Sequence, residues 1–368
     1  MWLFVIACLS VSFSVSWGTT WLVRRRAAGW GLIDIPADRK VHTEPTPLGG
    51  GVGIWLGVVL PLAVVQCLLW LATRSETVSS WVPLELRLHI DGALERSGLL
   101  WSVILAGTVL AVMGLVDDFR GLPWQPRLCV QFLVAVALVA CGVRATVFLP
   151  APWLGQALSV CWLLVLINAF NFLDNMDGLL TGIALIASVV FSIIMLGLTG
   201  EVRWLVAGVL LILSGSLAGF LCFNRPPATI FMGDSGSYFV GLMLASMTVL
   251  GTFYDRSTDT GRHVMLAPLC ILALPLYDFC SVMFIRLRQG RSPFRADKSH
   301  FSHRLVELGL SPQQAVRMVY LVTLTTGLGA LLLYEVDSWL AASVVVLLEL
   351  CLLGIVAVFE TVGRQSGD

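Results

Sequence analysis

Charge is scarce in this chain. Only 12% of its 368 residues are Asp, Glu, Lys or Arg, about half the usual share of a soluble domain. That deficit excludes an ordinary water-facing surface. The charges also cancel to a formal net charge of zero, so no global field draws the chain to nucleic acid. Cys-x-x-Cys pairs are missing. The nine cysteines, Cys8, Cys67, Cys129, Cys141, Cys161, Cys222, Cys270, Cys280 and Cys351, all lie within or beside apolar segments. Small buried hydrophobes fit that placement, so neither a disulfide framework nor a zinc site is expected. Long internal repeats and low-complexity tracts are absent too.

Hydrophobic residues fill the space that charge leaves. They make up 57% of the chain, and the mean hydropathy is +0.88. Apolar runs of about 18–24 residues match the length of a bilayer-spanning helix. The pattern predicts an all-α, polytopic membrane protein with about eleven transmembrane helices. Their approximate spans are 2–23, 49–72, 99–116, 128–148, 154–171, 179–199, 203–222, 237–254, 264–285, 315–334 and 339–359. The first lacks a basic start and is read as a retained span. Arg24-Arg25-Arg26 directly after it hold its C-terminal end in the cytoplasm, which puts the N-terminus outside and the C-terminus inside. With that orientation sixteen of the 23 Lys and Arg residues fall on the cytoplasmic side and seven outside. Residues 1–368 then form a single membrane-embedded domain with cytoplasmic loops near 24–48, 117–127, 172–178, 223–236 and 286–314.

Five polar islands carry the chemistry, and this topology puts all five on the cytoplasmic face. Asp117 and Asp118 sit at the inner end of the third span. Two adjacent carboxylates there repel unless a cation or proton relieves them, and Mg²⁺, which takes oxygen ligands and phosphates, suits them; a solvated helix end is the plainer reading. Asn168, Asn171, Asp174 and Asp177 recur every three residues. On a helix that spacing forms one drifting stripe, able to hold a metal or read a nucleotide. Asp234 lies between Gly233 and Ser235-Gly236, where an anion site at a helix start competes with an ordinary N-cap. Arg286, Arg288, Arg291, Arg295, Lys298, His300, His303 and Arg304 crowd the longest inner loop. His300 and His303, beside Arg304, suit a diphosphate better than zinc, because no third soft ligand is near. Arg39, Lys40 and His42 precede a Pro- and Gly-rich turn and can meet a lipid phosphate or simply anchor the topology.

Taken in order, these stretches resemble the polyprenyl-phosphate N-acetylhexosamine-1-phosphate transferases, the glycosyltransferase family 4 that includes phospho-N-acetylmuramoyl-pentapeptide transferase. The matching segments are D-I-P-A-D-R-K-V-H-T-E-P-T-P-L-G-G, G-L-V-D-D-F-R-G, N-F-L-D-N-M-D-G-L, N-x-x-P-A-T-I-F-M-G-D-S-G-S and D-K-S-H-F-S-H-R-L-V-E-L-G-L-S, with Asp278 of P-L-Y-D-F between the last two. The resemblance implies catalytic roles for Asp117 and Asp118. It implies metal binding by Asp234 with Asp118 and Asp174. Substrate contacts follow from it for Asn171, Asp174, Asp177, His300, His303 and Arg304, and for Lys40 and His42. The implied cofactor is Mg²⁺, with Mn²⁺ as a substitute. The implied reaction transfers a sugar 1-phosphate from a UDP-sugar to undecaprenyl phosphate and releases UMP, on the cytoplasmic face of the inner membrane. A homodimer is compatible with it. The pentapeptide branch has three consecutive histidines, whereas this chain reads His300-Phe301-Ser302-His303, closer to the UDP-N-acetylglucosamine branch, although Ser302 and Leu48 both depart from its pattern. A secondary transporter is the rival from another class, but transporters place ionisable groups near mid-bilayer.

Overall fold

The computed structural model describes residues 1–36, 44–82, 87, 90–145, 151–251, 261–293 and 299–365. Helix α1 (Trp2–Trp30) leads into a two-residue ladder, β1 (Ile33–Asp34) with β2 (Thr46–Pro47). There follow α2 (Gly50–Ala72), α3 (Glu76–Trp81), α4 (Ile90–Glu95), α5 (Ser97–Arg120), α6 (Trp124–Ala140), α7 (Pro152–Leu173), α8 (Leu179–Gly197), α9 (Trp204–Asn224) and α10 (Gly233–Gly251). A 3₁₀ turn, Arg262–Leu266, opens the last part, which contains α11 (Ala267–Ile271), α12 (Ala273–Arg288), α13 (Phe301–Glu307), α14 (Pro312–Glu335) and α15 (Trp339–Gln365).

Among the described residues, eight helices are long and apolar enough to cross a membrane: α1, α2, α5, α7, α8, α9, α14 and α15. The chain is a multi-pass membrane protein. The run 264–285, expected as one straight span, is broken. Residues Arg262–Ile271 and Ala273–Arg288 meet at 65°, and counting that pair as one crossing gives up to nine. Pro275 explains the break, since it offers no N–H to the Ile271 carbonyl and its ring crowds that group. Two further expected spans look different. Helix α6 has 17 residues, and α10 is diluted by Asp234, three serines and four glycines.

That dilution marks the centre of the molecule. Every residue of α10 except Asp234 and Leu250 is buried, because α2, α5, α7 and α9 surround it. Helices meeting lipid need bulky apolar surface, whereas helices meeting helices in a membrane gain from small residues that let backbones approach. Gly51 and Gly114 show the requirement. A Cβ on Gly51 would overlap the Gly236 backbone, and one on Gly114 the Asp234 carbonyl. Around this centre α1 packs on α2 and α9, α9 on α8, and α14 on α8 and α11.

The polar connections gather at one end of the bundle, stitched by backbone bonds. The Phe231 N–H donates to the Pro47 carbonyl at 2.9 Å, while the Gly50 and Gly51 N–H groups donate to the carbonyls of Phe231 and Met232 at 3.0 and 2.9 Å. Gly114→Ala is expected to lower stability by about 1–3 kcal/mol through overpacking. Gly98→Ala, in the same helix with open space around it, is expected to change little. Melting temperatures in detergent compare the two, and equal values would show that the α5–α10 contact is not tight.

Candidate active site

The N-terminus of α10 meets a carboxylate supplied by another helix. Asp118, near the end of α5, accepts the Asp234 N–H at 2.8 Å on Oδ1 and the Ser235 N–H at 3.3 Å on Oδ2. Helix N-termini carry unsatisfied N–H groups and partial positive charge, so an anion there is stabilised. Gly233, at φ 75°, makes the sharp entry possible, and a Cβ there would strike the Asp118 carboxylate. Asp234 is therefore not its own cap. Its side chain turns outward, where Oδ1 accepts the Asn171 amide at 2.7 Å.

Asp117 faces a different way. It is buried, accepting the Leu122 N–H at 2.6 Å on Oδ1 and an Arg127 N–H at 2.8 Å on Oδ2. The same Arg127 nitrogen lies 3.4 Å from Asp234 Oδ2 and 3.3 Å from the Tyr238 hydroxyl. Arg127 thus bridges the first carboxylate of the pair to Asp234. Among the described residues its charge offsets only part of the local negative charge.

The three-residue series does not form one stripe. Helix α7 ends at Leu173, with Asp174 as its C-cap, and Gly178 at φ 74° starts α8. Asn168 instead bonds Gln131 of α6 at 2.7 Å. Asn171 reaches Asp234 and also Ser237 Oγ at 3.0 Å. Asp177 accepts the Ala228 N–H at 2.8 Å, tying this turn to the segment before α10. Asn224 accepts from Thr181 at 2.7 Å and donates to the Ile230 carbonyl at 3.1 Å, which braces the same segment.

The histidines arrive from the far end of the chain. Asp278 in α12 accepts the Phe301 N–H at 2.6 Å and lies 3.0 Å from His300 Nδ1. Phe172 stands edge-on to His300, ring centroids 5.5 Å apart, and the Arg286 guanidinium lies 5.0 Å from the same phenyl ring. Ser302 donates to Asn175 Oδ1 at 2.7 Å. His303 is half-buried, its ring 6.3 Å from that of His300. Arg304 turns inward: Nη2 lies 3.2 Å from Glu360 and donates to Ser281 Oγ at 2.8 Å. Lys40 and His42 lie outside the described residues.

The structure therefore brings Asp118, Asn171, Asp174, Asp177 and Asp234 together, with the helix bearing His300 and His303 alongside. It adds Arg127, Asn175, Tyr238 and Asp278. Arg127 was visible as a rare cation ten residues after Asp117, and Asp278 as an acid inside an apolar run, but neither partner could be read from spacing.

Residues 100–252 match the model of a family described as glycosyl transferase family 4. The decaprenyl-phosphate N-acetylglucosaminephosphotransferase of Mycobacterium leprae is 35% identical across 78% of this chain and 73% of its own length. The chain belongs to glycosyl transferase family 4. Its likeness to the probable undecaprenyl-phosphate N-acetylglucosaminyl 1-phosphate transferase of Bacillus subtilis is 27% identity over 94% of this chain and 88% of that protein. The undecaprenyl-phosphate alpha-N-acetylglucosaminyl 1-phosphate transferase of Escherichia coli K12 is also 27% identical, over 86% and 81%. Within this family 4 chain the matched region runs from the start of α5 to just past α10. It includes Asp117, Asp118, Asp174, Asp177 and Asp234 and leaves out Asp34 and the helix that follows His300.

The acidic cluster of this family 4 chain is electrostatically unsettled. Exclusion from water pushes the Asp174 carboxyl up to about 7, and the charges of Asp118, Asp34 and Asp177 push the same way, against one favourable N–H from Gly233. The sign follows directly. A carboxyl whose pKa is raised by folding binds more protons folded than unfolded, so its cost to stability is absent below about pH 4 and complete above about pH 7. Asp174→Asn is expected to melt higher than the unaltered protein when no divalent cation is added, by more at about pH 8 than at about pH 5. An advantage that shrinks as pH rises would contradict the crowding of carboxylates.

Proposed function

We propose that this chain transfers N-acetylglucosamine 1-phosphate from UDP-N-acetylglucosamine to undecaprenyl phosphate, releasing UMP. A lipid-phosphate oxygen forms a bond to the sugar-bearing phosphorus, and the bond from that phosphorus to the oxygen bridging to UMP breaks. The printed names of the relatives support the donor sugar and the polyprenyl acceptor. The observation that carries the reading is the convergence of Asp118, Asn171, Asp174 and Asp234 on the N-terminus of α10, with His300 and His303 alongside at the start of α13. The sixteen-to-seven bias of Lys and Arg supports eleven crossings with this end cytoplasmic.

Bringing two anions together is the physical obstacle, and phosphoryl transfer depends mainly on positioning and charge stabilisation. Among the described residues no three His, Cys, Asp or Glu side chains are placed to hold a metal ion by themselves. Mg²⁺ does not demand one, since it keeps several waters and takes one or two carboxylates together with substrate phosphates. The donors present are hard oxygens, and the mutual repulsion at Asp174 is of the kind a cation relieves. Asp118, Asp174 and Asp234 are the residues that would hold Mg²⁺ or Mn²⁺. Such an ion supplies neutralisation of the diphosphate and of the leaving UMP.

This chain's own groups do the rest. Asn171 fixes the Asp234 carboxylate. Asp117 holds Arg127 beside Asp234, and it stands at the site as the carboxylate that could take a residual proton from the lipid phosphate. The acceptor phosphate is already largely anionic at neutral pH and needs no strong base. His300, oriented by Asp278, and His303 meet the nucleotide phosphates. A transporter is disfavoured because the acids collect at one end of the bundle.

Asp234→Asn is expected to lower turnover by about a hundredfold to a thousandfold, with the protein still folded and membrane-inserted. UMP release from purified protein with UDP-N-acetylglucosamine, undecaprenyl phosphate and Mg²⁺ measures this. Near-normal release from the variant would remove Asp234 from the reaction. His303→Ala is expected to raise KM for the UDP-sugar about tenfold with a smaller effect on kcat, and an unchanged KM would count against its nucleotide contact.

A further inference from the structure

Helix α13, which carries His303 and has His300 as its N-cap, has seven residues. A helix this short does not hold itself, so external ties set its direction. Three are visible. Its first N–H is held by Asp278, Ser302 is held by Asn175, and Arg304 is held by a group from the last helix. That group is Glu360 of α15, whose Oε2 lies 3.2 Å from Arg304 Nη2, with the two side chains only 5% and 6% exposed. Tyr277 of α12 donates its hydroxyl to the same Glu360 oxygen at 3.1 Å, and Ser281 accepts from Arg304 at 2.8 Å. Tyr277 also stands edge-on to Phe301, ring centroids 6.0 Å apart.

A buried guanidinium depends on its carboxylate. Removing one partner of such a pair leaves an uncompensated charge out of reach of water, which is far worse than losing both. With Glu360 neutralised, one of the three ties is lost and Arg304 keeps only Ser281 among the described residues, so α13 is freer to shift about the other two. His303 is its immediate neighbour in the chain, so the aim of that imidazole follows. Helix α15 otherwise presents lipid-facing residues such as Leu347, Leu348, Leu350, Ile355 and Phe359, which makes a buried acid near its end conspicuous.

The geometry points to Glu360 as a positioning residue for the nucleotide half of the reaction. Through Arg304 it fixes α13, and with it His303, without touching substrate. This rests on the reading that α13 meets the nucleotide. Glu360 lies outside residues 100–252, which match the family model, and in this reading its helix supports the site as well as crossing the membrane.

Steady-state kinetics on the full-length protein in lipid nanodiscs test it. Glu360→Gln is expected to raise KM for UDP-N-acetylglucosamine about tenfold while kcat changes by less than about threefold. Glu360→Asp, which keeps the charge, is expected to shift KM less, and it carries the test if Glu360→Gln does not fold. The double variant Arg304→Gln with Glu360→Gln is expected to do no worse than Glu360→Gln alone, because the unpaired charge is gone. An unchanged KM in Glu360→Gln, or a double variant whose defect is the product of the singles, overturns the proposal. If His303→Ala raises KM while Glu360→Gln does not, only the positioning role fails. If neither variant moves KM, α13 is not the nucleotide element at all.

Discussion

One carboxylate capping a helix that is not its own is the constraint on which the site depends. Helix α10 begins among other helices, where its first N–H groups need a partner and water is scarce. Asp118 supplies that partner from α5. The solution has two consequences. It locks two distant segments into one geometry, because Gly114 and Gly233 must stay bare for the helices to approach. It also releases the Asp234 side chain from capping, so that this carboxylate is available at the mouth of the site, steered by Asn171 and Arg127.

Among the described residues the arrangement leaves an excess of negative charge. Asp118, Asp174, Asp177 and Asp234 converge where water is limited, and Arg127 is shared between Asp117 and Asp234. A purely structural cluster would pair its charges fully, since buried unpaired carboxylates destabilise a fold. Crowded like charges of this kind cluster at functional sites. The same logic explains why the most buried long helix is among the least apolar. Bulk hydrophobicity serves the lipid-facing helices, whereas α10 needs glycine and serine for contact and Asp234 for its bonds to Asn171 and Arg127.

Much of this could be read from the sequence, and the reasons for the exceptions are physical. Long apolar runs specify spanning helices because no other element satisfies its backbone in lipid, so α1, α2, α5, α7, α8, α9, α14 and α15 were legible. The break before Ala273 was missed because hydropathy does not register how Pro275 interrupts the helix. The islands containing Asp118, Asn171 and Asp234 were recognisable by composition. Partners were not. Spacing suggested that Asn168 joins Asp174 on one stripe, but the helix ends at Leu173 and Asn168 faces Gln131. Nothing in the order of residues ties Glu360 to Arg304, a contact made only when the last helix returns across the membrane.

The cap itself is the most direct point of attack. Hydrogen exchange on the full-length protein compares the peptide spanning 231–238 with one from the middle of α10, before and after Asp118→Ala. The expected result is exchange faster by at least about tenfold at the start of the helix, with the middle still protected. Unchanged protection at the Asp234 and Ser235 amides would show that Asp118 does not seat this helix, and the account of the site would fail with it.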